Sequence, residues 1–297
     1  MEERQAPGTL YIVATPIGNS RDMSARGVQI LTEADIIAAE DTRRSMVLLN
    51  KLGIRNKLIS NHKFNEHGKA KYFISELLAG RDVAVVTDAG TPCISDPGNE
   101  LIRAAVEAGI NVVGIPGACA AVTALSVSGF DLSAFVFTGF FPREAADRRK
   151  LLAKMREGFC RTYVFYESPK RIMDAMEFLR DAGFEGRLCV CNDLTKLHEM
   201  TFRGTPKEVI DALLAKGNYE KGEFCVAAEL AEEYRFTKTE HLFTPEALLM
   251  DRMVRENCRP KDAIRLLLAD ENNSYSKNEL YAASLRLKAL FGGGDGA

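Results

Sequence analysis

Several things are missing from this chain, and each absence narrows what it does. No apolar run approaches the ~20 residues that a membrane-spanning helix needs, and the opening MEERQAPG lacks the apolar core of a signal peptide. Charge of one sign is missing too. Lys and Arg number 39 against 41 Asp and Glu, a formal net charge of -2, so any RNA contact must come from local basic patches. Four scattered histidines offer no metal site, and Cys189 and Cys191 alternate on an expected strand and face opposite ways. The seven cysteines are scattered, several in apolar runs, the usage of reduced, buried thiols in a cytoplasmic protein. Neither G-x-G-x-x-G nor a P-loop occurs, which removes sequence support for dinucleotide and nucleoside triphosphate binding. There is no internal repeat.

What is present suits an α/β protein. At 297 residues with 46% hydrophobic content, the chain can build two α/β domains and a short appendage. Its central stretch is Asp82 to Gly98, DVAVVTDAGTPCISDPG. Val83 to Val86 reads as a strand of a parallel sheet buried on both faces. Asp88-Ala89-Gly90-Thr91 then breaks it, and a helix follows Pro97, with Asp96 as candidate cap. A strand ending in a carboxylate and a glycine loop is where open α/β sheets place ligands, although an ordinary strand-to-helix turn reads the same way.

Two more strand exits carry polar chemistry. Leu10 to Ala14 runs into Thr15-Pro16, and Asp35 to Ala39 into Glu40-Asp41-Thr42-Arg43-Arg44. A fourth exit, Pro116-Gly117-Ala118-Cys119-Ala120-Ala121, has small residues at a helix start, suited to a carboxylate or phosphate. Asn61 to His67 is a polar loop in which Phe64 could stack on a base and Lys63 meet phosphate. The domain boundary is expected near 130, giving domains 1–130 and 131–232. The second starts at Phe135, carries a basic helix with Arg143, Arg148 and Arg149, and has a mixed sheet. From 245 to 290 about three short helices form a helix-turn-helix-like extension.

In order, GTLYIVATPIGN, AAEDTRR, VVTDAGTPCISDPG, GIPGACAA, FTGFFPRE, YESPKR and KGEFCVAAE resemble the 16S rRNA (cytidine-2'-O)-methyltransferases, within the tetrapyrrole-methylase-like, class III group of S-adenosylmethionine enzymes. The resemblance covers about Gly8 to Glu229. It implies two α/β domains with S-adenosylmethionine in the cleft between them, a homodimer, and the 16S rRNA of the 30S subunit as partner. The cofactor would lie against Thr15, Pro16, Asp88, Ala89, Gly90, Thr91, Pro116, Gly117, Ala118, Ala120 and Ala121, closed over by Tyr166, Glu167, Ser168, Ala227 and Ala228.

Glu40 or Asp41 is then the candidate base for a ribose hydroxyl, with Arg43 or Lys63 holding the substrate. The same residues also read as an ion-pair network that shapes the cleft. Arg143, Arg148 and Arg149 are expected at RNA phosphates. Two other functions compete: a small-molecule, tetrapyrrole-type methyltransferase, and a non-catalytic S-adenosylmethionine- or nucleotide-binding protein on the ribosome.

Overall fold

The computed structural model describes residues 6–62, 66–158, 160–231, 243–270, 273 and 275–291. Contacts group the chain into two compact units, Met1–Glu232 and Glu233–Ala297. The first holds two sheets, so the α/β class expected from the sequence is what is found.

The first sheet alternates strand and helix: β1 (Leu10–Val13), α1 (Ala25–Glu33), β2 (Ile36–Ala39), α2 (Thr42–Lys51), β3 (Leu58–Ser60), α3 (Glu66–Leu78), β4 (Val83–Val86), α4 (Asn99–Glu107), β5 (Val112–Ile115) and α5 (Ala120–Ser126). Its order is β3-β2-β4-β1-β5, and every pairing is parallel. Because strand side chains alternate, β2 and β4 feed two cores. Ile36, Ala38, Val83 and Val85 pack with Phe73 of α3 and Leu101 of α4. Ile37, Ala39, Ala84 and Val86 pack with Leu31 of α1 and Leu49 of α2. Ser24 caps α1 by accepting from Gly27 N–H, as its position before the apolar face predicts. Asp96 does not cap α4: Gly98 occupies that place, with φ at +127° and no side-chain bond. Residue 130, the boundary expected from the sequence, lies between α5 and the second sheet, and contacts keep both sheets in one unit.

The second sheet uses β6 (Phe135–Phe140), α6 (Ala145–Glu157), β7 (Thr162–Glu167), α7 (Ile172–Asp181), β8 (Gly186–Asn192), β9 (Met200–Gly204), α8 (Pro206–Lys216) and β10 (Phe224–Leu230). Its order is β6-β7-β10-β8-β9; β6 and β7 are parallel and the other pairings antiparallel. Helix α5 joins the sheets by packing: Ala121, Ala124 and Leu125 share a core with Val164, Cys189 and Ala227. The seven cysteines are all free thiols, four of them buried.

Among the described residues the second unit has three helices, α9 (Pro245–Arg255), α10 (Pro260–Leu268) and α11 (Lys277–Phe291), around Leu249, Ile264, Leu267 and Leu280.

One expected RNA contact is built into the fold instead. Arg148 of α6 is 5% exposed. Its Nε donates to the Pro142 carbonyl at 2.8 Å and its Nη2 pairs with Asp174 at 2.6 Å. The guanidinium lies 5.4 Å from the Phe141 ring centroid and 5.6 Å from that of Phe178. A buried planar cation against two rings, with Nε and Nη2 both bonded, is a packing element. Arg143 and Arg149 are exposed. Urea unfolding of Arg148→Ala should therefore show a loss of about 2 kcal/mol. Arg149→Ala should stay within about 0.5 kcal/mol of the parent.

Candidate active site

Strands β1 and β4 lie side by side, and the chain leaves them in opposite directions across the sheet, β1 toward β2 and β4 toward β5. Their carboxyl ends therefore open a crevice at the switch point. Thr15 N–H donates to the Gly90 carbonyl at 2.8 Å, and Gly90 N–H returns to Thr15 at 3.0 Å. Gly90 needs its φ of +87°, which L side chains rarely adopt. Thr91 Oγ1 donates to the Ala118 carbonyl at 3.0 Å, tying this loop to the exit of β5. There a Cβ on Gly117 would come within 2.8 Å of Ala14 Cβ, so only glycine lets the two exits approach.

The loop after Thr91 then turns back on itself. Cys93 and Ser95 both take left-handed φ, 71° and 69°, at a cost of order 1 kcal/mol each. The turn brings Asp96 into the wall of the crevice with Glu40 and Asp88. Glu40 Oε2 accepts from Thr87 Oγ1 at 2.6 Å and from Asp88 N–H at 3.4 Å. Asp88 Oδ1 accepts from Asp41 N–H at 3.2 Å, and its Oδ2 meets Arg44 at 3.1 Å. Burial, then the Glu40 and Asp88 charges, push the Asp96 carboxyl up to about 6. Burial and Glu40 also raise Asp88, against the pull of Arg44.

The opposite wall comes from the second sheet. Tyr166 leaves β7 with its ring edge-on to Phe137 and Phe140, centroids 5.0 and 5.7 Å apart. The Glu167 side chain is wholly buried, with Oε1 on Arg171 at 2.6 Å. Its Oε2, like Arg171 Nη1, has no hydrogen-bond partner. The cavity between the walls measures about 450 Å³. Five carboxylates line it (Glu40, Asp88, Asp96, Glu167 and Glu223) and, among the described residues, one cation, Arg44.

Of the three candidate catalytic residues, Glu40 alone lines this cavity. Asp41 caps α2, accepting from Arg43 N–H at 2.9 Å and pairing with its guanidinium at 2.8 Å. Those bonds to Arg43 hold its carboxyl down at about 2, too acidic for a useful base. Arg43 is spent on Asp41 and otherwise exposed. Lys63 lies outside the described residues.

The candidate cofactor residues divide in a similar way. Asp88, Ala89, Gly90, Thr91, Ala120, Tyr166, Glu167 and Ser168 line the cavity. Thr15 and Pro16 lie at the rim, where Thr15 is buried by its pairing with Gly90, and Pro116, Gly117 and Ala118 form the neighbouring exit of β5. Ala121 is turned into the α5 core. Ala227 and Ala228 are fully buried at the centre of β10. That strand runs antiparallel to β7, so its start, Phe224 and Cys225, reaches the cavity instead. Sequence reasoning missed Asp96 as a cavity residue, along with Arg44, Ile94 and Phe140. The ISDPG and FTGFF motifs carried three of them, and Arg44 stood in AAEDTRR without a role.

The sequence model of the Tetrapyrrole (Corrin/Porphyrin) Methylases matches residues 9–210. The chain belongs to the tetrapyrrole methylase family. Within it, the chain is 44% identical to the ribosomal RNA small subunit methyltransferase I of Halalkalibacterium halodurans over 77% of this chain and 78% of that protein. The protein of the same name from Pseudomonas aeruginosa is 41% identical over 94% and 97%. Among solved methylases, the uroporphyrin-III-C-methyltransferase of Thermus thermophilus shares the fold at TM-score 0.51 and 20% identity, covering 75% of this chain and 94% of that one. A cobalt precorrin-4 methyltransferase does so at 0.53 and 18%, covering 74% and 94%.

The raised carboxyl of Asp96 has a thermodynamic consequence. Its folded value lies above the ordinary carboxylate value of 3.8, so the folded state holds its proton more tightly. The cost to stability builds up between about 4 and about 6, is complete above about 6, and vanishes where both states are protonated, below about 4. Asp96→Asn should stabilise the ligand-free protein at pH 7 by about 1 kcal/mol after allowing for partial exposure, read as a higher Tm. The gain should disappear when the melts are repeated at pH 4.

Proposed function

We propose that this chain methylates the ribose 2'-hydroxyl of a cytidine in 16S rRNA of the small ribosomal subunit, with S-adenosylmethionine as donor in the cleft between the sheets. The observation that carries the reading is the charge of that cleft. Glu167 and Glu223 are paired with Arg171 and Lys196, which leaves Glu40, Asp88 and Asp96 with Arg44 in the lining, a net negative wall that suits a ligand bearing a sulfonium and an ammonium group. The unpartnered Glu167 Oε2 offers an acceptor to a ligand hydroxyl or amine, and Ile17, Ile94 and Leu194 an apolar surface for an adenine. A cavity near 450 Å³ is of ligand size. The RNA half of the reading is supported by the relatives, named as small-subunit rRNA methyltransferases at 36–44% identity.

The donor, when bound, supplies a methyl group already activated on a positive sulfur, so the protein's work is mostly positioning. In this reading Asp88 and Asp96 hold the cationic ligand. Glu40, fixed by Thr87 Oγ1 at 2.6 Å, takes the hydroxyl proton. Asp41 shapes α2, and the exposed Arg44, Arg143 and Arg149 meet phosphates at the mouth. We read the protein as acting in the cytoplasm as a homodimer, for which exposed Met46 and Val47 on α2 offer apolar surface.

The deciding experiment supplies methyl-labelled S-adenosylmethionine with 30S subunits, free 16S rRNA or a tetrapyrrole. Label recovered as 2'-O-methylcytidine supports the reading; label only in the tetrapyrrole, or on a base, overturns it. Glu40→Gln should lower kcat about 100-fold, whereas Asp41→Asn should stay within a few-fold of the parent. Calorimetry should show donor affinity falling as pH drops through about 6, where Asp96 takes up its proton. Asp96→Asn should bind weakly at every pH and lose that dependence.

A further inference from the structure

The second unit carries a groove of about 1140 Å³ between α10 and α11, floored by Met250, Met253 and Leu285. Its charges are sorted. Arg252 pairs with Asp270 and Glu256, Arg255 with Asp251, Arg265 with Asp262, and Arg286 with Glu246. Glu279 is taken up by Ser276 at the start of α11. Four cations have no ion pair among the described residues: Arg259, Lys261, Lys277 and Lys288. All four are exposed, and all four line the groove. Lys277, Tyr281 and Lys288 recur at helical spacing on one face of α11, a stripe ~16 Å long at 1.5 Å per residue. In its middle the Tyr281 ring stands 60% exposed beside the apolar floor.

We propose that this groove binds single-stranded RNA, with the four free cations on phosphates and Tyr281 stacked on a base. Aligned cations flanking an exposed ring over an apolar floor are the two ingredients of single-strand binding, a basic track and a stacking platform. One acid, Asp262, lines the groove, and it is paired with Arg265, so with the four unpaired cations the lining presents net positive charge to a polyanion. The choice of RNA over another polyanion rests on the proposed rRNA substrate, and it gives that substrate a second attachment outside the methylation cleft.

The test uses the full chain and a fluorescein-labelled oligocytidylate RNA, read by anisotropy over a salt series. Arg259, Lys261, Lys277 and Lys288 are changed together to Gln, and Tyr281→Ala is made separately. The fourfold variant should bind more weakly and lose about 3 from the slope of log affinity against log salt, at ~0.7 per phosphate. Tyr281→Ala should bind about tenfold more weakly at an unchanged slope, and it leaves every charge in place should the fourfold variant fold poorly. An unchanged slope in a folded fourfold variant overturns the proposal. So does displacement of the RNA by polyglutamate, charge for charge, since the groove would then suit an acidic protein. Methyl transfer by the unmodified chain is scored in parallel. If it labels 30S RNA while the variants bind the oligonucleotide normally, the groove reading fails alone. If it labels no RNA yet the slope falls as expected, the substrate reading fails and the groove stands.

Discussion

The structure depends on a strand that meets water on neither face. All four residues of β4 are at most 5% exposed, so its ends must dispose of their polar backbone groups locally. At the amino end Asp82 does this: its carboxylate accepts from Thr9 N–H at 2.6 Å, and its own N–H donates to Asp35 Oδ2 at 2.7 Å. Three parallel strands are thereby set in register from one side. At the carboxyl end the Thr15–Gly90 exchange serves the same purpose, and it needs a glycine there. With both ends committed, the chain after Gly90 has only the sheet edge to cross. The polar exits of β1, β2, β4 and β5 thus collect in one crevice.

That crevice is unfavourable for the empty protein. Asp88 and Asp96 are both raised first by burial and then by the Glu40 charge, with Arg44, among the described residues, the one cation in the lining. The left-handed backbone at Cys93 and Ser95 adds strain. Both costs have the same remedy, a cationic ligand that neutralises the carboxylates and packs the loop. Sites built this way exchange stability for affinity.

The strands, the parallel first sheet and the glycine exits were legible because they depend on residue type and period: β-branched runs buried on both faces, and small residues where backbones approach. What escaped depends on information that residue type does not carry. Asp96 reads as a helix cap until two non-glycine residues take left-handed φ. Arg148 looks like one member of a basic helix face, because its partner Asp174 is 26 residues away on α7. Ala227 and Ala228 match a family motif, but the direction of β10 in a mixed sheet decides which end of the strand meets the cleft. Asp41 differs from its sequence reading for a local reason: its carboxylate caps a helix and pairs with the arginine two residues on.

The fold alone does not choose the substrate. Porphyrin and corrin methylases share this architecture at 18–20% identity. Discrimination must then come from groups around the cleft, where the exposed apolar Ile94 and Phe140 stand in the same lining as the charged Arg44. Arg44 stands 71% exposed at the mouth beside Asp88, and Arg143 and Arg149 are exposed in the second sheet's half. A flat macrocycle would want apolar surface in those places. A phosphodiester strand wants guanidinium groups. The charge that the sequence lacks as a whole it holds locally, and local charge is the kind that can position an RNA without drawing in every polyanion.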